Sequence, residues 1–289
     1  MSPRPAHPKL GQNFLVDLAA QSAIVEALGD LTHRTVVEIG PGQGAITALL
    51  ARRAQRLIAI ELDRELAPRL RDHFAGQPNV EIREQDILAT DFADPDFADP
   101  SFAAPAFAAP APSDGLLIIG NLPYYITSDI LLHLFAAHHH IERAVIMVQR
   151  EVADRVAAHP GTRDYGLLSA TAQLYARVEN LFTLPPSAFA PPPQVHSTVL
   201  RLTIAPRFQE LGLDEPHRAP ASTEGFIAFL KLGFAQKRKM LAKNLRTAGY
   251  DPAKIAAAFA ANNLNPQSRA EELDLNAMAS LFHHLCDQS

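Results

Sequence analysis

The chain is poor in sulfur: its 289 residues include a single cysteine, Cys286. One thiol cannot form an internal disulfide, which suits a reducing compartment. Long apolar runs are also lacking, and no stretch approaches the roughly 18 apolar residues of a membrane-spanning helix. The opening MSPRPAHPKLGQNF has Arg4 and Lys9 but no apolar run behind them, so no secretory leader is expected. Nor is there an excess of positive charge. With a formal net charge of −5, a nucleic-acid partner needs a local basic patch, because the field of the whole molecule does not attract it. What is present is an ordinary globular balance, 47% apolar and 20% charged, in a chain long enough for one sizeable domain and a smaller one. A soluble cytoplasmic protein is expected.

The first half alternates helix and strand signals. Residues 16–28 have helical spacing, with Asp17 a plausible cap. Residues 35–39, TVVEI, read as a buried strand, followed by a glycine turn over 40–44 and a helix over 45–53. Strands are then expected at 57–61, 80–83, 116–119 and 144–148, with helices at 64–74 and 128–137. Strands separated by helices of this length imply right-handed crossovers and a mostly parallel sheet. Residues 197–204, STVLRLTI, alternate and are β-branched, which suits an antiparallel addition near the sheet edge. Beyond Pro206 the pattern is helical, at 222–245, 252–261 and 275–285. The expected fold is therefore α/β over 1–205 with a small all-helical domain over 206–289.

One segment breaks this rhythm. Residues 92–111 read FADPD FADPS FAAPA FAAPA, a fourfold pentad inside an insert spanning 91–113. Proline at every fifth position forbids a long helix or a central strand. The expectation is an expanded surface loop.

The chemistry lies at strand ends. VVEIGPGQGAIT places Gly40, Gly42 and Gly44 between a strand and a helix, where backbone must turn tightly and approach a ligand without a Cβ in the way. Glu61 ends the next strand, 21 residues after Gly40, which suits hydrogen bonds to two ribose hydroxyls. Taken alone this also describes a dinucleotide site or a tight structural turn, although G-x-G-x-G with Pro41 inside it departs from the dinucleotide spacing G-x-G-x-x-G. Asp86 follows the third strand, where a carboxylate can accept the exocyclic amine of an adenine. Asn121, in GNLPYYIT, follows the fourth. Open α/β sheets bind ligands at the carboxyl ends of neighbouring parallel strands. His138-His139-His140 and the group His283, His284 and Cys286 do not read as metal sites, since adjacent histidines diverge and no further ligand is evident.

KLGQNFL, VEIGPGQGAIT, IELD, QDIL, GNLPYYIT, QREVADRV, YGLLS and PPSAFAPPPQVHSTVLRL follow one another in the order of the rRNA adenine N6-dimethyltransferases, and the chain resembles the bacterial small-subunit branch of that family. The resemblance runs from Lys9 to about Leu202 and resumes at KLGFAQKRKMLAKNL and NPQSRAEELDL. It implies a Rossmann-like class I methyltransferase using S-adenosylmethionine. Asn13, Leu15, Gly40, Gly42, Glu61, Asp86 and Asn121 would be the cofactor-binding residues. Two adjacent adenosines in the 3′-terminal hairpin of 16S rRNA would be the substrate, in the small subunit or its assembly precursor. The N6 amine of adenine is a poor nucleophile because its lone pair is delocalised into the ring. The Asn121 side-chain oxygen and a backbone carbonyl near Leu122 would take its two protons, with Pro123 fixing that geometry. Tyr124 would stack on the flipped base, and Phe189 is a candidate for its other face.

KLGFAQKRKMLAKNLR, residues 231–246, carries Lys231, Lys237, Arg238, Lys239, Lys243 and Arg246 and no acid. It is expected to be one basic helix contacting phosphates, Lys237, Arg238, Lys239 and Lys243 above all; the alternative is a solvated helix face. Three departures from the family pattern stand out. Tyr125 replaces a common Asn, Gln194 and His196 replace a common Lys and Asp, and the N-terminal arm is less basic than usual. The rival readings are a large-subunit rRNA adenine methyltransferase of the resistance type, a non-catalytic ribosome-assembly or transcription factor on the same fold, and a dinucleotide oxidoreductase. The enzyme is expected to be a monomer.

Overall fold

A computed structural model describes residues 13–97, 115–213, 222–237 and 239–286, which fall into two compact units. The first comprises Met1–Arg150 with Asn180–Thr203, and the second Glu151–Glu179 with Ile204–Ser289.

The first unit is built on parallel strands β2 (Thr35–Ile39), β3 (Arg56–Glu61), β4 (Val80–Glu84), β5 (Leu116–Asn121) and β6 (Ile141–Gln149). Antiparallel β9 (Ser197–Ile204) follows, then β7 (Ala176–Leu184), giving the order β4-β3-β2-β5-β6-β9-β7. The reversal between β2–β3–β4 and β2–β5–β6 puts the switch point of the sheet beside the carboxyl end of β2, where a crevice opens. Val36, Val37 and Ile39 of β2 and Leu57, Ile58, Ala59 and Ile60 of β3 are all buried, as expected of strands covered on both faces. The connecting helices are α1 (Leu18–Glu26), α2 (Ala45–Leu50), α3 (Leu66–Phe74) and α4 (Thr127–Ala136). Asp17 caps α1 as expected, its carboxylate accepting from the N–H groups of Ala19 and Ala20 at 3.0 Å each. A two-stranded ribbon, β1 (Phe14–Leu15) against β8 (Phe189–Ala190), lies apart from the main sheet and carries no periodic signal in the sequence.

The insert is not loop throughout. Phe92 and Phe97, from the first two pentads, are buried, with ring centroids 5.6 Å apart. Phe92 also lies 5.5 Å from the His133 ring on α4, and the Arg83 guanidinium sits 4.8 Å over Phe97. Arg56 completes the anchor, with Nη1 donating to the Asp96 carbonyl at 2.5 Å and Nη2 to Glu81 at 3.0 Å. The surface-loop reading therefore fails at its start, because two rings of the repeat find apolar and cationic partners on the sheet's flank. The pentads from residue 98 onward lie outside the described residues.

The second unit is helical: α5 (Arg150–Val156), α6 (Leu167–Tyr175), α7 (Thr223–Phe234), α8 (Leu241–Thr247), α9 (Pro252–Ala261) and α10 (Leu275–Cys286). The sequence reading put a single boundary near 206; here 151–179 joins the later helices instead. Phe282 packs its ring 5.5 Å from Phe226 and 5.4 Å from Phe229, and Tyr165 stands 6.0 Å from Phe234.

The single basic helix expected over 222–245 is two helices broken at 235–240. Buried Asn244 explains the break. Its Nδ2 donates to the carbonyls of Gly233 at 2.6 Å and Gln236 at 3.3 Å, satisfying acceptors that a continuing helix would bond through its own backbone. Lys237 and Lys239 accordingly lie in a turn, and Arg238 lies outside the described residues. Among the described residues no helix is long and apolar enough to cross a membrane.

Candidate active site

Strand ends converge on one crevice of about 1080 Å³, counted out to its open mouth. Asn13, Gly40, Gly42, Glu61, Asp86, Asn121, Leu122, Pro123 and Tyr124 all line it. Phe14, Ile39, Ile60, Leu62, Gln85, Ile87, Tyr125 and Ile126 complete the wall; apolar singles at strand ends give no sequence signal of their own.

The glycine turn works by proximity. Gly40 and Gly42 adopt φ of 64° and 58°, in the left-handed region, and a Cβ on Gly42 would stand 2.9 Å from Cδ1 of Phe14. Phe14 fills the side of Gly42 where a Cβ would stand, and the N–H groups of Gly40 and Gly42 are already given to the Ile60 carbonyl at 2.9 Å and to Glu61. Glu61, 4% exposed, accepts from Gly42 N–H at 3.1 Å through one oxygen and from Asp63 N–H at 3.0 Å through the other. Both oxygens are thus fixed in direction, and each retains a lone pair. Burial raises the pKa of Glu61, opposed by those two N–H groups. Below it, Glu38 of β2 is fully enclosed, and burial pushes its carboxyl up to about 7. The Thr47 hydroxyl, donating to it at 2.6 Å, works against that rise, and the charge of Glu61 adds to it. Asp86 spends one oxygen on the Leu88 N–H at 2.9 Å, leaving the other for a donor in the crevice.

On the opposite wall Asn121 is held by a contact 108 residues away in sequence: its Nδ2 donates to the Asn13 carbonyl at 3.0 Å. A carbonyl can only accept, so this bond fixes which end of the amide is which. Among the described residues Oδ1 has no donor of its own. Asn13 is itself held in place by β1, where buried Gln21 donates Nε2 to the Leu15 carbonyl at 2.8 Å. Pro123 O accepts from Ile126 N–H at 3.3 Å and Thr127 Oγ1 at 2.9 Å, so Tyr124 and Tyr125 are the central residues of a tight turn. The Tyr124 hydroxyl lies 3.0 Å from Oγ of fully buried Ser197, which tethers the ring at the crevice wall.

Two of the expected site residues lie outside the crevice lining. Leu15 and Phe189 do not line the crevice: they face each other in the β1–β8 register and are buried in the hydrophobic core with Ile24 and Val25. Their side chains contribute packing that seats β1, and the Phe189 ring has no free face for a base. Far from this crevice in sequence, Lys237 donates to the Arg163 carbonyl and stands 3.8 Å from Glu271, so part of its charge is already answered. Lys239 and Lys243 are exposed. The His138 and His139 ring centroids lie 3.9 Å apart with the planes tilted by 39°, and no group of metal-ligating side chains occurs among the described residues.

Residues 4–287 match the family described as ribosomal RNA adenine dimethylase. The Acidobacterium capsulatum protein named ribosomal RNA small subunit methyltransferase A is 59% identical over 282 residues, covering 98% of this chain and 92% of that one. Among solved structures, a dimethyladenosine transferase from Plasmodium falciparum superposes with a TM-score of 0.69 at 23% identity, covering 93% of this chain and 95% of that one. The 23S rRNA methyltransferase ErmE superposes with a TM-score of 0.67 at 25% identity, covering 94% and 99%. The first unit thus has the Rossmann-like architecture of class I methyltransferases. A match across nearly the whole chain, joined to the strand-end residues above, places this protein in the ribosomal RNA adenine dimethylase family.

Proposed function

We propose that this chain transfers methyl groups from S-adenosylmethionine to the N6 amines of two adjacent adenosines in the 3′-terminal hairpin of 16S rRNA, within the small ribosomal subunit. The observation that carries this reading is the Asn121 amide. With Nδ2 committed to the Asn13 carbonyl, Oδ1 is left to accept an N6 proton. Drawing that proton toward Oδ1 favours a pyramidal nitrogen whose lone pair is free to attack, and because the amide is fixed beforehand, nothing reorganises when charge develops. The tethered Tyr124 ring supports one face of the base.

The opposite wall fits the cofactor. Glu61 offers two directed carboxylate oxygens to a ribose, the free oxygen of Asp86 suits an adenine amine, and Ile60, Leu62 and Ile87 supply apolar surface for the ring. Gly40, where a Cβ would find only the Asn121 carbonyl oxygen at 3.8 Å, leaves room for the methionine portion. When bound, the cofactor supplies an electrophilic methyl group on a sulfonium. Asn121→Ala should slow single-turnover transfer about 100-fold while RNA binding stays nearly unchanged; near-normal rates would refute the acceptor role.

A large-subunit substrate is the second reading, favoured by the likeness to ErmE. Identity of 59% to a small-subunit enzyme against 25% to ErmE supports the first. The retained Glu61, Asp86 and Asn121 speak against a non-catalytic assembly factor. The lone cysteine accords with the cytoplasm. The test is transfer of radiolabelled methyl groups to undermethylated small and large ribosomal subunits; labelling confined to the large subunit would overturn the assignment.

A further inference from the structure

Tyr125 is the most exposed large apolar residue of the crevice lining, at 63%, and among the described residues it has neither a hydrogen bond nor a ring partner. Its neighbour Tyr124 is half-buried and tied to Ser197. The two are consecutive in one turn, their Cα atoms about 3.8 Å apart, so one ring serves the interior of the crevice while the next stands at its mouth. The turn's hydrogen bonds to Pro123 O come from Ile126 and Thr127, so they do not require a ring at 125.

What a nucleic acid brings to that mouth is defined by base extrusion. A nucleotide that swings into a pocket leaves its nearest neighbour with one face unstacked and exposed to water. An aromatic ring at the mouth can replace the lost stacking partner, whatever the base, because every base presents a π-face. We infer that Tyr125 forms a second base-binding site, which stacks the nucleotide adjacent to the one held by Asn121 and Tyr124. The inference rests on the reading of the crevice as an adenosine pocket. In a substrate with two adjacent target adenosines, the stacked neighbour in one of the two rounds is the other target.

The test uses small subunits reconstituted around rRNA whose 3′ piece is synthetic, with an abasic nucleotide on one or the other side of the target adenosine. For the native enzyme, removing the base on the stacked side should raise KM about tenfold with kcat little changed. Tyr125→Ala should show that rise on intact RNA and no further rise on the abasic RNA. Tyr125→Phe, which keeps the ring, should remain sensitive to the abasic substitution. Losses that simply add, or equal KM values for Tyr125→Ala and the native enzyme on intact RNA, would overturn the inference. So would weakened S-adenosylmethionine binding in Tyr125→Ala by calorimetry, since the ring would then serve the cofactor. Failure of the native enzyme to methylate any intact subunit would overturn the adenosine pocket itself.

Discussion

Burial raises both Glu38 and Glu61, but Glu61 meets backbone N–H groups whereas Glu38 meets a single hydroxyl. Glu38, raised from 4.5 to about 7, holds a proton in the folded state that the unfolded chain has released. Across that window the native state binds more protons, so stability falls as pH rises from about 4.5 to 7 and stays lowered above it. Glu38→Gln removes a penalty of about 3 kcal/mol at pH 8 and nothing at pH 4. Thermal melting should show the variant more stable at pH 8 and level with the native protein at pH 4; equal melting temperatures at both would rule out the buried proton. Glu61→Ala should weaken S-adenosylmethionine binding by about 1–3 kcal/mol, measured by calorimetry, through lost ribose hydrogen bonds. Glu61, Asp86 and Asn121 were legible in the sequence because polar residues directly after apolar strands stand out. The Asn13–Asn121 bond was not, since nothing local announces a contact across 108 positions. Leu15 and Phe189 were legible as motif members, yet motif position cannot distinguish a residue whose backbone shapes a site from one whose side chain lines it.

Elements were legible where periodicity is strong and opaque where a side chain overrides it. β2, β3 and β5 stand close to their expected ends because each is a continuous apolar run bounded by turn residues. The break between α7 and α8 could not be read, since the residues across it are good helix formers and the decisive group, Asn244, lies beyond it. Asn244→Ala leaves two carbonyls without that donor and should lower stability by about 1–3 kcal/mol in chemical denaturation. The pentad repeat shows the opposite failure: simple composition concealed two core residues. Phe92→Ala should cost about 3 kcal/mol by the same measurement, through the cavity left between Phe97 and His133. An unchanged midpoint would return the segment to the surface.

For the whole molecule, the cationic residues to test are those that stay free. Lys237 already meets Glu271 and the Arg163 carbonyl, so the exposed pair Lys239 and Lys243 is the better probe of phosphate contact. Reversing both to glutamate should flatten the salt dependence of RNA binding by about 1.5, at 0.7 to 0.9 per lost phosphate contact. S-adenosylmethionine affinity should hold, because neither residue lines the crevice. An unchanged slope would make them a solvated surface.

The ribbon of β1 and β8 also sets a timetable. The partners of Phe14 and Leu15, Ala190 and Phe189, leave the ribosome some 175 residues after them, since 190 − 14 = 176 and 189 − 15 = 174. Until then Val16 N–H lacks the Ala188 carbonyl, and the strand that presents Asn13 to Asn121 has no edge to pair with. A nascent chain that has already formed its parallel strands therefore still lacks an oriented amide. An enzyme whose proposed substrate is ribosomal RNA thus acquires its reactive geometry only once a distant stretch of its own chain has been translated.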